Sequence, residues 1–82
     1  EEYVEYEQLI EKVMRIIENM PQQTATVLKK CFIERKKYQE AGDELGISIN
    51  TVRWHITKAI SILREKMSDI EMVLLYAYFL KK

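Results

Sequence analysis

The stretch Leu45-Gly46-Ile47-Ser48 limits what this chain can fold into more than any other, because it breaks two runs of helical periodicity with a very short turn. Glycine reaches the left-handed backbone region without steric cost, so Gly46 is suited to end a helix as its C-cap. Ser48 is placed to cap the free amides of the helix that follows. The pattern predicts a short helix over Tyr38–Leu45, a tight turn, and a longer helix to residue 66. Gly42 agrees with it, since two helices crossing at a steep angle need a small residue where they touch. Together these features make a helix-turn-helix, a pattern that by itself recurs in many helical proteins.

The longer helix, within GISINTVRWHITKAISILREK, has a clean apolar stripe. At about 100° per residue, Ile49, Val52, Ile56, Ala59, Ile60 and Leu63 share one face. Asn50, Trp54, Lys58 and Ser61 lie opposite, flanked by Arg53 and Thr57 on one side and by Thr51 and His55 on the other. The chain's only tryptophan is therefore expected in solvent, where it needs a partner to cover it. A helix entering the DNA major groove presents donors and acceptors near its N-terminal end. Asn50, Thr51, Arg53, Trp54 and Lys58 are the candidate base readers. Arginine can bind guanine bidentately, asparagine can do the same with adenine, and an indole can pack on sugar or a thymine methyl. Phosphate anchors belong at the start of the supporting helix, where Lys36, Lys37, Tyr38 and Gln39 stand, and Ser48, His55 and Thr57 extend that set. Taken alone, ERKKYQE reads more readily as a solvated turn, and it is the helix pattern that follows which turns the reading toward function.

The remainder of the chain also reads as helix. Tyr6, Leu9, Ile10, Val13, Ile16, Ile17 and Met20 recur at amphipathic spacing over residues 3–19, and with Tyr3 and Met14 they form a core stripe. Pro21, with fixed φ and no N–H, suits the first turn of a second helix reaching residue 34, whose inward stripe is Val27, Leu28, Cys31 and Phe32. Ser68 and Glu71 have capping-box spacing, which predicts a last helix over Asp69–Leu80 with apolar residues all round. The expected fold is all-α: a helix-turn-helix bundle of three to four helices over residues 1–66, its helix-turn-helix at 38–66, plus an apolar C-terminal helix within 67–82. That last helix offers more apolar surface than one helix can bury on so small a body. Met72, Leu75, Tyr76 and Phe79 are therefore candidates for a partner interface, either a second copy or another protein, the alternative being that the helix folds back and completes the core.

Composition narrows the function. Eighty-two residues make one small domain, and catalytic clefts usually need a larger frame. Two glycines, one proline and 48% hydrophobic residues describe an ordered chain. His55 has no second histidine or cysteine at ligand spacing, Cys31 reads as a core thiol, and Glu40, Asp43 and Glu44 read as a solvated helix face. No enzyme activity, metal or cofactor is expected. A single cysteine suits a reducing cytoplasm, no signal peptide is visible, and the apolar run at 72–80 is too short to span a bilayer, so no membrane insertion is expected. Charge is neutral overall but uneven. Residues 1–20 hold six acids and two bases, a net of −4, whereas residues 21–66 hold nine bases and five acids, a net of +4. Such asymmetry fits a polyanion that touches only part of the domain, and charge alone fits an ordinary mixed surface equally well.

The run MPQQTATVLKKCFIERKKYQEAGDELGISINTVRWHITKAISILREKM resembles the C-terminal domain, region 4, of extracytoplasmic-function sigma factors. The usual run there is a Leu-Pro start, a helix ending in Phe, then Tyr-x-Glu-Ile-Ala-x-x-Leu-Gly-Ile-Ser-x-x-Thr-Val. Met20-Pro21, Phe32, Glu34, Tyr38, Glu40, Leu45 to Ser48, Thr51, Val52 and Ala59 carry the likeness, which covers residues 3–66. It implies recognition of the upstream (−35) promoter element within RNA polymerase holoenzyme, held by a polymerase flap element, with an anti-sigma factor as a further partner. It also implies Arg53, Trp54 and Lys58 as the main groove-facing readers. Arg35-Lys36 stands in place of the common Gly-Leu, and Ala41-Gly42 in place of Ile-Ala, so the helix crossing is expected to be tighter or less stable. Trp54 replaces a small polar residue, so the promoter sequence read is expected to depart from the usual one. The Gly-Ile-Ser-x-x-Thr-Val core also occurs in response-regulator output domains, which bind DNA as dimers. A helix-turn-helix that has become a protein-interaction module is the third reading.

Overall fold

A computed structural model describes residues 5–80, with side chains through Tyr78. Helix α1 spans Tyr6–Glu18 and turns Leu9, Val13, Ile16 and Ile17 inward, the i, i+4, i+7, i+8 spacing of one helical face. Tyr6 departs from the expected core stripe: it begins the helix and is half exposed, and Tyr3 lies outside the described residues. The helix stops at Asn19, whose side-chain amide donates to the Arg15 carbonyl at 2.9 Å.

Pro21, at φ −52° and ψ 141°, is still extended, so it is the N-cap of α2 (Gln22–Leu28) rather than part of its first turn. Its carbonyl accepts the first helical bond, from the Ala25 N–H at 3.0 Å. The expected single helix to residue 34 changes pitch midway. Over Lys29–Ile33 it widens into a π-helix, closed by the Glu34 N–H donating to the Lys29 carbonyl five residues back at 2.9 Å. Arg35 then stops it in the left-handed region, at φ 62°, the only non-glycine residue with positive φ among those described. This is the position where the resembled pattern carries glycine, and the backbone explains why.

Helix α3 (Tyr38–Leu45), the Gly46–Ser48 turn and α4 (Ile49–Lys66) follow as the sequence predicts. At Met67 the backbone is extended, and α5 (Asp69–Leu80) starts on a capping box in which Glu71 accepts from the Ser68 N–H at 2.9 Å while Ser68 Oγ accepts from the Glu71 N–H at 3.2 Å.

Helix α4 is the centre of the bundle: α2 packs on it most extensively, α3 and α1 pack beside α2, and α5 covers its end. Val52, Ile56, Ala59 and Leu63 meet Val27, Leu28 and Cys31 from α2 and its π-helical continuation, and Leu9, Val13 and Ile17 from α1. Fully burying one such aliphatic side chain contributes about 1.5–3 kcal/mol, and this core is the main term set against the conformational entropy of the chain. Lys12 on α1 ties α5 back through an ion pair to Glu71 at 3.0 Å, exposed enough that its contribution is small.

Candidate nucleic-acid interface

The turn between α3 and α4 fixes the two helices against each other. Gly46 is left-handed at φ 70°, and the Ile47 N–H donates to the Gly42 carbonyl at 3.0 Å. Ser48 caps α4, its Oγ accepting from the Thr51 N–H at 3.1 Å and lying 3.0 Å from Thr51 Oγ1. Gly42 is buried where the helices cross: a Cβ there would lie 2.7 Å from the Ile47 carbonyl oxygen and 3.5 Å from Val52 Cγ2. The crossing is thus as close as the glycine permits.

On the outward side of α4, Asn50, Arg53, Trp54 and Thr57 are exposed, and Thr51 and Lys58 are half-buried. Trp54 is 59% exposed, on the outward side of the helix as the sequence predicts. Arg53 Nη1 donates to Asn50 Oδ1 at 3.2 Å, one helical turn away, so these two candidate readers are already oriented side by side. Lys58 Nζ stands over the Trp54 ring, 5.4 Å from its centroid. The upper face of the site is therefore one arginine, one amide and one indole, flanked by a lysine.

At the start of α3, Lys37 and Gln39 are exposed, and the Lys37 N–H donates to Glu40 Oε1 at 2.8 Å, half of a capping box. Gln39 Nε2 donates to Asp43 Oδ1 at 3.1 Å. Tyr38 is half-buried, and burial raises its phenol above the ordinary value. Lys36 contacts Glu44 at 3.1 Å, and Glu44 also receives Lys30 at 2.8 Å. Hydrogen bonds from Lys30 and then Lys36 hold the Glu44 carboxyl below its ordinary range, and both ammonium groups are raised by the same contacts. Lys30 was not among the candidates. It sits on the π-helical segment, and its partner Glu44 is 14 residues away in the chain, so the local sequence carries no signal of it.

Two expectations need correction. His55 does not join the outward set: it is 8% exposed, and its Nδ1 is hydrogen-bonded to Thr24 Oγ1 on α2 at 2.9 Å, so its ring belongs to the core rather than to a phosphate contact. Thr24 carries no sign of a site role in its own residue type, but Thr24, Val27, Leu28 and Cys31 share the i, i+3, i+4, i+7 stripe that marks it as inward-facing. Met72 and Leu75, expected at a partner interface, are 5% and 2% exposed and complete the core beneath α5. The outward face of α5 is instead Ile70, Val73, Ala77 and Tyr76, with Arg64 Nη2 donating to the Tyr76 hydroxyl at 3.3 Å. The side chain of Phe79 lies outside the described residues.

Cys31 is buried, which pushes its thiol up and makes it inert. Among the described residues no group of three or more His, Cys, Asp or Glu side chains is arranged to hold a metal ion. No helix among them is long and apolar enough to cross a membrane. Compared with known proteins, residues 10–63 match the family described as Sigma-70, region 4. No curated protein and no solved structure matches the chain.

Proposed function

Because the chain belongs to the sigma-70 region 4 family, whose domains bind promoter DNA and contact core RNA polymerase as parts of sigma factors, we propose that it reads the upstream (−35) promoter element for an extracytoplasmic-function sigma factor. The observation that carries this reading is the outward row Asn50, Arg53 and Trp54 on the N-terminal half of α4, one turn beyond a helix-turn-helix bend. With α4 in the major groove, Arg53 donates bidentately to a guanine and Asn50 exchanges two bonds with an adenine. The bond between them is exchanged for base contacts at little loss, since both groups already point the same way. Trp54 lies on sugar or a thymine methyl, Thr51 and Lys58 flank it, and Lys36, Lys37, Tyr38, Gln39, Ser48 and Thr57 reach phosphates. A polymerase flap element supplies further affinity. The exposed α5 residues Ile70, Val73 and Tyr76 take the place of Met72 and Leu75 as candidates for contact with an anti-sigma factor or a second copy.

Selection of duplexes from a random pool, by the domain held in polymerase holoenzyme, tests the reading. A single asymmetric motif is expected, and Arg53→Ala should lose preference at one base pair. Enrichment of a two-fold symmetric motif bound by two copies would instead favour the response-regulator alternative, and failure to enrich any motif would favour the protein-interaction reading.

A further inference from the structure

An exposed tryptophan on a helix surface ordinarily samples several rotamers, and each one lost on binding weakens the complex. Trp54 is not left in that condition. The His55 ring meets it edge to face, with centroids 5.0 Å apart and planes at 83°, while Lys58 Nζ stands over the indole. His55 is in turn fixed from behind. Its Nδ1 is hydrogen-bonded at 2.9 Å to the hydroxyl of Thr24, which is 0% exposed and sits on α2, the helix packed most extensively against α4. A buried hydroxyl and a buried ring nitrogen each need a partner, and here each supplies the other's. That bond fixes the imidazole plane, which would otherwise turn about its last side-chain torsion and withdraw its edge from the indole.

We propose that Thr24 and His55 are positioning residues that hold Trp54 in the orientation in which it meets DNA, transmitting the rigidity of the α2–α4 core to the recognition face. The proposal rests on the DNA-reading role given to Trp54 above. Neither residue touches the nucleic acid. Their effect is to reduce the freedom the indole loses on binding, and to make its contact selective for one groove shape.

The chain offers its own reporter, since Trp54 is the only tryptophan and His55 the only histidine. Time-resolved fluorescence anisotropy of the free domain should show wild-type Trp54 tumbling with the whole molecule, with no large sub-nanosecond component. A wild-type indole that rotates freely overturns the proposal. Thr24→Val removes the hydroxyl at nearly constant shape, and should add a fast component and shrink the ratio of cognate to scrambled duplex affinity about 2- to 10-fold. Thr24→Ser should restore both. If Thr24→Val fails to fold by circular dichroism, His55→Phe carries the test: it keeps a ring but not the hydrogen bond, and should free the indole in the same way. Unchanged anisotropy in a folded variant overturns the positioning role alone. A wild-type domain that selects no duplex overturns the DNA reading, a failure visible without reference to the anisotropy.

Discussion

Replacing Gly42 by alanine sets two effects of similar size against each other. In the interior of a helix the change alone should stabilise by about 0.8–1.0 kcal/mol, because alanine loses less backbone freedom on folding. Against it stands the contact in the crossing. The new Cβ would lie 2.7 Å from the Ile47 carbonyl oxygen, whereas ordinary contact begins at 3.4 Å, so one backbone must move several tenths of an ångström. The obstacle cannot swing aside like a side chain, because the Ile47 N–H is bonded to the Gly42 carbonyl and the following residue caps α4. Overpacking of this kind costs about 1–3 kcal/mol. The net expectation is a loss of about 1 kcal/mol, read as a lower urea midpoint at unchanged slope. Because the displaced turn carries the start of α4 with it, Asn50 and Arg53 shift relative to Lys37, and DNA affinity should fall further than stability does. Gly46→Ala is the control. Nothing lies within 4 Å of its Cβ, but at φ 70° it should cost about 1–2 kcal/mol through backbone strain while leaving the crossing in place. A Gly42→Ala domain that is more stable than wild type and binds DNA undiminished would refute the claim that this contact sets the geometry.

Other outcomes follow from the same structure. Arg53→Ala should weaken cognate binding by about 1–3 kcal/mol and relax one base pair in a competition assay, whereas equal losses on random duplex would make it a phosphate anchor. Lys37→Ala should weaken all duplexes alike and lower the salt slope by about one unit, and an unchanged slope would remove it from the interface. Arg35→Gly should stabilise the domain by about 0.5–1 kcal/mol in urea titration by relieving a left-handed non-glycine residue, and a destabilised variant would show that the arginine's side-chain interactions outweigh the strain. The Glu71 carboxyl is held below its ordinary 4.5, first by the Ser68 N–H and then by Lys12. Its contribution to stability is therefore complete above pH 4.5 and is lost as pH falls through its lower folded value. In Glu71→Gln, part of the acid-induced drop measured by circular dichroism should disappear.

The parts of this fold that local chemistry determines could be read in advance. Gly46, Ser48 and the Ser68/Glu71 box each place a helix end through bonds reaching only a few residues, and the stripe of α4 fixes which way Arg53 and Trp54 face. Helix α5 gave no such phase. With apolar residues on every side, nothing in its pattern distinguishes Met72 and Leu75, which are buried, from Val73, which is 63% exposed; only the bundle beneath it decides. His55 is ambiguous in the sequence for a related reason: its position on the flank of α4 is compatible with either side, and its partner Thr24 is 31 residues away in the chain. The widened turn at Lys29–Ile33 was illegible because its residues are ordinary helix formers.

That widened turn has a consequence for how the chain tolerates insertion and deletion. In a regular α-helix, removing one residue rotates everything beyond it by about 100° and turns the buried stripe outward. A π-turn holds one residue more than the α-turn it replaces, so a deletion within residues 29–33 can be absorbed by closing the bond from Glu34 to Lys29 into an ordinary helical one. Val27 and Leu28 before it and Arg35 after it would keep their phase. The π-helical stretch at Lys29–Ile33 is therefore a place where the chain can lose a residue while α3 and α4 stay where they are, leaving the recognition face in register.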